Sequence, residues 1–255
     1  MGKWNDVVVF VPLTVPGDVV NVQIRTKRRR YMEGYVTEYI ERSPLRVEPF
    51  CAHFGVCGGC KWQNIPYSEQ IAFKQQQVFD QLTRIGHLSL PEISPILGSA
   101  KTDHYRNKLE FTFAPKRWKT YEEVARGEEI TDTPALGFHI PSMFDKILDI
   151  DYCHLQPAPS NEIRNEVKRF CIENGYPFYD IRQHSGLMRN IVIRTASTGE
   201  IMVIVVFAEA QKETIERVMG FLKERFTEIT SLVYMINDKL NDSLGDREPI
   251  LYAGR

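Results

Sequence analysis

Phe50-Cys51-Ala52-His53-Phe54-Gly55-Val56-Cys57-Gly58-Gly59-Cys60 gathers three of the chain's five cysteines into one short segment, spaced Cys-x5-Cys-x2-Cys. Thiolates this close together usually hold a metal. The Cys-x2-Cys pair lets two sulfurs face one centre, and Gly58-Gly59 can take the φ > 0 conformations that turn backbone N–H groups toward bound sulfur. The fourth ligand has to come from elsewhere. Cys153, in Asp151-Tyr152-Cys153-His154, follows a turn-rich segment and precedes Pro157 and Pro159, so it suits that role better than Cys171. Cys171 follows Phe170 within a helical pattern and reads as a small buried hydrophobe. A tetrahedral zinc is normally served by two Cys-x2–4-Cys pairs, whereas this chain has one pair, one cysteine shortly before it and one far downstream. The asymmetry favours a [4Fe–4S] cluster, which is bulkier and accepts ligands from separated segments. Zinc and a metal-free segment are the alternatives.

Upstream of the cysteines the signal is β. Val7–Val11 is a β-branched run closed by Pro12, Val15-Pro16-Gly17-Asp18 is a turn, Val19–Ile24 alternates with period two, and a third strand runs from Tyr31 to Ile40. Short strands with tight turns imply a small OB-like β-barrel over 1–45. Between the second and third strands lie Lys27, Arg28, Arg29, Arg30 and Tyr31, four cations and an aromatic. They can clamp a phosphate backbone while Tyr31 offers a stacking face, or they are a solvated hairpin tip.

Downstream, Pro66 introduces a helix over 67–85 with Tyr67, Ile71, Val78, Leu82 and Ile85 at three-to-four spacing, expected beside the cysteines. Tyr105–Phe113 is a strand with Leu109, Phe111 and Phe113 on one face and Lys108 and Glu110 on the other. The segment from Lys116 through Glu122-Glu123 and Glu128-Glu129 to Asp132 reads as a long surface loop. Two strands, 135–139 and 144–147, follow. His139 and His154 are read as hydrogen-bonding structural histidines. Ser160 caps a helix that ends at Gly175, strands follow at 189–195 and 201–207, and a helix carries Ile215, Val218, Met219, Leu222 and Phe226 before a strand at 229–236. The fold class is therefore α+β, with a mostly antiparallel sheet covered on one face by helices over 46–255.

Cys51-x5-Cys57-Gly58-Gly59-Cys60-Lys61-Trp62-Gln63, together with Tyr105-Arg106-Asn107-Lys108 and Cys153, resembles the RNA uracil-5-methyltransferase family, in particular its ribosomal RNA members with a TRAM domain. The resemblance covers nearly the whole chain. It implies a TRAM-like barrel over 1–45, a central domain over 46–255 holding a [4Fe–4S] cluster on Cys51, Cys57, Cys60 and Cys153, and RNA contacts from Lys27–Tyr31, Arg106 and Lys108. A hydrated charge pair at the start of a strand is the plainer reading of those last two. The family's TRAM domain opens with a further strand before the position of Val7, where only Met1–Asp6 stands here, a departure that leaves closure of the barrel open. A full enzyme of the family attacks uracil C6 with a cysteine thiolate and transfers methyl from S-adenosylmethionine to C5. Cys171 does not match the nucleophile's motif, and no phosphate-binding glycine motif is present. The catalytic Rossmann-like domain is expected to lie outside these residues, and the chain alone to be catalytically silent. RNA is the expected partner, ribosomal ahead of transfer RNA. A stand-alone RNA-binding iron–sulfur module is the second reading, and an electron-transfer protein a disfavoured third.

With 255 residues, 43% hydrophobic and 25% charged, the chain has the material for one or two domains. A net charge of -1 provides no bulk basicity, so RNA contact must rest on local patches. No early apolar run matches a signal peptide or membrane span, and the cysteine distribution suits a reducing compartment, so a cytoplasmic monomer is expected.

Overall fold

The computed structural model describes residues 1–127 and 132–255, which leaves Glu128 and Glu129 of the acidic loop outside the described residues. The chain divides into two compact units, 1–55 with 60–102, and 56–59 with 103–255.

The first unit holds strands β1 (Gly2–Trp4), β2 (Val7–Phe10), β3 (Val19–Lys27) and β4 (Tyr31–Glu41). Their order is β1-β2-β4-β3, antiparallel except for the β2/β4 pair. The strand expected to be missing before Val7 is therefore present: Gly2, Lys3 and Trp4 pair with Val9, Val8 and Val7. Asn5 and Asp6 turn the chain with φ of 45° and 63°, a conformation that Asn and Asp tolerate better than bulkier residues, and this is what lets so short a segment fold back. The outer strands β1 and β3 both line one cavity of about 670 Å³, so the sheet curls, but no ladder joins them among the described residues. At the bend Gly34 lies so close to β3 that a Cβ there would sit 2.6 Å from the Gln23 carbonyl oxygen. Helix α1 (Tyr67–Asp80) runs on as a π-helical turn, Gln81–Ile85, matching the expected span. It buries no residue completely. Tyr67 and Ile71 lie against the 96–99 segment, where the Tyr67 hydroxyl accepts from the Ser99 N–H at 2.7 Å, whereas Val78, Leu82 and Ile85 are exposed.

The second unit is built on a seven-stranded sheet of β5 (Lys108–Ala114), β6 (Ala135–Ile140), β7 (Met143–Asp149), β8 (Met188–Thr195), β9 (Ile201–Phe207), β10 (Ser231–Ile236) and β11 (Ile250–Gly254), ordered β11-β10-β9-β8-β5-β6-β7. Every pair is antiparallel except β9/β10. Those two strands are joined through helix α4 (Lys212–Arg225), the crossover that a parallel pair requires. Central strands β8 and β9 are buried along most of their length, which is why Ile191-Val192-Ile193 and Val203–Phe207 are nearly continuous apolar runs. Helix α3 (Ser160–Glu173) packs against α4 through stacked Phe170 and Phe221, 4.2 Å between centroids, and Arg164 of α3 lies over Phe111 of β5.

Two local expectations are corrected and one strand is added. The 116–132 loop contains a short helix, α2 (Tyr121–Ala125), because Thr120 and Glu123 form a reciprocal capping box. Ser160 does not cap α3; its hydroxyl donates to the Gln156 side chain inside the protein. Strand β11 was not foreseen, since Ile250–Gly254 follows a polar stretch and gains its order only by pairing with β10.

Candidate functional site

The cysteines divide between the units: Cys51 and Cys60 with the first, Cys57 and Cys153 with the second. None forms a disulfide. In the first unit the Cys51 N–H donates to the Gln63 side chain at 3.3 Å, and the Cys51 carbonyl accepts from Phe54 N–H. In the second, the Gly59 N–H donates to Cys57 Sγ at 3.3 Å. A Cβ on Gly58 would sit 2.6 Å from the His139 carbonyl oxygen, so this glycine is needed for close approach of residues 56–59 to β6 within the second unit. Cys153 is 8% exposed and both its backbone groups are held by Asn161, which accepts from its N–H at 2.8 Å and donates to its carbonyl at 3.1 Å. Arg164, fully buried, donates to the same Asn161 oxygen and to the Asp151 carbonyl. Burial pulls the Arg164 guanidinium down to about 10, while the neighbouring Cys153 and the Asp149 and Asp151 carboxylates work to keep it charged. A buried cation next to a sulfur favours thiolate, so the donors around Cys57 and Cys153 suit thiolate ligation in chemistry. Among the described residues no group of three or more His, Cys, Asp or Glu side chains is arranged to hold a metal ion. Cys171 is wholly buried and its thiol is pushed up to about 12 by that burial.

The cations of the first unit are at the β3–β4 hairpin. Lys27, Arg28, Arg29 and Arg30 are all exposed, and the Arg28 N–H donates to the Tyr31 carbonyl to close the turn. Tyr31 is half-buried, its ring meeting Phe10 at 5.8 Å in an edge-on arrangement. Sequence reading passed over exposed Arg25 stacked on Tyr35, 5.2 Å from the ring centre, on the same strand pair. The signal was there in the alternation of β3 and β4, but it needed the register.

In the second unit Arg106 and Lys108 are both exposed. The Arg106 N–H donates to the Leu155 carbonyl at 2.7 Å and the Asn107 carbonyl accepts from Thr195, which pins the segment between two neighbours. Lys108 stands directly across from exposed Arg194 of β8, a third cation that sequence reading did not select. Beside them His104, Tyr152 and His154 cluster, with Tyr152 and His154 4.7 Å apart.

A solved structure shares this architecture: the tRNA (uracil-54, C5)-methyltransferase of Pyrococcus abyssi in complex with S-adenosyl-L-homocysteine, with a TM-score of 0.64 at 22% identity, over 99% of this chain and 54% of that one. Over the matched part the two chains share a fold. Curated proteins named uncharacterized RNA methyltransferases are similar along most or all of the sequence. One from Bacteroides thetaiotaomicron is 51% identical over 258 residues, covering 100% of this chain and 57% of that protein. One from Porphyromonas gingivalis is 50% identical, covering 99% and 56%, and one from Chlorobaculum tepidum is 38% identical, covering 84% and 44%. The chain thus spans about half the length of the relatives it matches. No family model matches it. No helix among the described residues is long and apolar enough to cross a membrane.

Proposed function

We propose that these residues are the RNA-recognition part of an S-adenosylmethionine-dependent RNA uracil-C5 methyltransferase. The observation that carries this reading is similarity over the full chain to proteins named RNA methyltransferases, joined to a fold shared with a uracil-C5 enzyme. The exposed cations Lys27–Arg30 at the β3–β4 hairpin of a TRAM-like sheet, Arg106 just before β5, and Lys108 and Arg194 on the larger sheet are the phosphate contacts. S-adenosylmethionine binding and methyl transfer belong to the half of such proteins that this chain does not match. The expected result is no methyl transfer to uridine-containing RNA by residues 1–255 alone, with ribosomal and transfer RNA both offered. Turnover would instead locate the catalytic groups in this chain.

Binding is expected to weaken as salt rises. Each neutralised phosphate contributes roughly 0.7 to the slope of log K against log salt for single strands. Replacing Lys27, Arg28, Arg29 and Arg30 together by Ala should therefore lower that slope by roughly 2 to 3. Fluorescence anisotropy across a salt series reads it, and an unchanged slope would leave the hairpin as a solvated tip.

A [4Fe–4S] cluster on Cys51, Cys57, Cys60 and Cys153 belongs to the same proposal. Those four cysteines would hold the cluster, whose role would be structural. The chain's part is to present thiolates, with the Gly59 N–H on Cys57 and buried Arg164 beside Cys153 favouring that form. Anaerobically purified protein is expected to be brown with about four irons per chain, and to lose iron in Cys153→Ser. About one zinc per chain and no colour would favour the structural-zinc reading.

A further inference from the structure

Thr112, His139 and Asn190 form the polar floor of a cavity of about 400 Å³ in the second unit, inside the range of about 300–1,000 Å³ that small-ligand sites occupy. The Asn190 amide donates to Thr112 Oγ1 at 3.2 Å, and Thr112 Oγ1 lies 3.2 Å from His139 Nε2. His139 Nδ1 and Arg189 Nε, both in side chains that line this cavity, are buried without a hydrogen-bond partner among the described residues. Trp118 and Phe144 contribute aromatic walls, and Phe144 is 63% exposed.

The charge balance narrows the ligand. The wall carries six Lys or Arg side chains and four Asp. A fifth carboxylate, Glu123, is gripped by Arg117 at 2.9 Å. Among the described residues the excess is a single positive charge, enough for one phosphodiester and too little for a polyphosphate. The cations are also fixed in place, Lys116 by Asp132 and both Lys146 and Arg182 by Asp145.

The cavity lies in line with the candidate RNA surface. On β5, Lys108, Glu110 and Thr112 face the same way, and across the ladder β8 places Arg194 opposite Lys108 and Asn190 opposite Thr112. From Lys108 to Thr112 is ~13 Å at the rise of a strand. Glu110 lies midway, flanked on the same face by the Lys108–Arg194 pair.

We infer that this cavity accepts one unstacked nucleotide of the bound RNA, its base edge on Asn190, Thr112 and His139 and its phosphate at the rim cations. Such pockets are the usual means of reading single-stranded RNA, because a splayed base exposes its hydrogen-bonding edge and its face. This inference rests on the RNA reading above. The test is photocrosslinking of the wild-type chain to short single-stranded RNAs carrying 4-thiouridine or 6-thioguanosine, with the adducts located by peptide mass. Adducts within 112–119, 139–147 or 179–190 are expected. Adducts confined to 27–31 and 104–108 would overturn the pocket and leave RNA binding standing, whereas no binding at all would remove both. In parallel, Thr112→Val is expected to reduce RNA affinity roughly tenfold, the worth of one or two hydrogen bonds, without changing the salt slope. Lys108→Ala should lower the slope by roughly 0.7. Unchanged affinity in a folded Thr112→Val protein would count against the pocket as decisively as misplaced adducts.

Discussion

Arg189→Met is expected to destabilise the second unit by about 3–5 kcal/mol, the usual cost of removing one member of a buried, hydrogen-bonded charge network. The Arg189 side chain is 1% exposed. Its guanidinium stacks on Tyr179 at 4.2 Å and donates to the carbonyls of Asn237, Lys239 and Asn241 and to the Asp242 carboxylate. Methionine fills a similar volume and keeps contact with Tyr179, but removes the donor from the carbonyl of buried Asn237 and from the half-buried Lys239 carbonyl, and leaves the Asn241 carbonyl with the Asn237 amide alone. The midpoint of thermal unfolding should fall by roughly 10 °C, given about 2–4 °C per kcal/mol for a domain of this size. Hydrogen exchange should show the 237–242 segment opening first. A fall of under about 1 kcal/mol in denaturant unfolding would mean that this segment holds itself.

Asp18→Asn is expected to cost the first unit about 2–3 kcal/mol and to remove an acid transition. Asp18 is 1% exposed in its side chain. It accepts from Arg46 Nε at 2.8 Å and Nη2 at 2.6 Å, from Ser43 N–H at 2.9 Å and from Val15 N–H at 2.6 Å. Burial by itself would raise this carboxyl, but the Arg46 hydrogen bonds and the two backbone donors outweigh it and hold it at about 2 against an ordinary 3.8. That drop corresponds to roughly 2 kcal/mol at about 1.4 kcal/mol per pKa step. Because the folded pKa is the lower one, the stabilisation is complete above the unfolded value near 3.8 and is lost as pH falls toward 2. The carboxylates of Asp145 and Glu123 titrate in the same window, Asp145 held down chiefly by Arg182 and Glu123 chiefly by Arg117. The readable quantity is therefore the difference between wild type and Asp18→Asn in urea unfolding from pH 5 to pH 2. Parallel curves would show that Asp18 contributes nothing ionic.

Much of the larger sheet was legible because its signals are local. Leu109, Phe111 and Phe113 alternate with exposed Lys108 and Glu110 along β5, and the α4 residues Ile215, Val218, Met219 and Leu222 recur at helical spacing and are buried. A strand or helix writes its own period into adjacent residues. The misreadings fall where that period is short or shared. Gly2–Trp4 is too brief to show alternation, Ile250–Gly254 draws its order from β10, and the apolar spacing of α1 continues through Val78, Leu82 and Ile85 although all three are exposed.

By itself, then, the sequence determined the α+β composition, most element boundaries, and the residue types that can carry chemistry: the cysteine segment and the cations at 27–30, 106 and 108. The tertiary structure decided which of these acquire neighbours. Arg194 faces Lys108 and Asn190 faces Thr112 only through the β5/β8 register, and Arg189 becomes a buried brace only because the 237–242 segment folds over it. Side-chain identity and periodicity are properties of a few consecutive residues. Register, burial and the closing of a cavity depend on contacts between residues far apart in the chain, which no short stretch encodes alone.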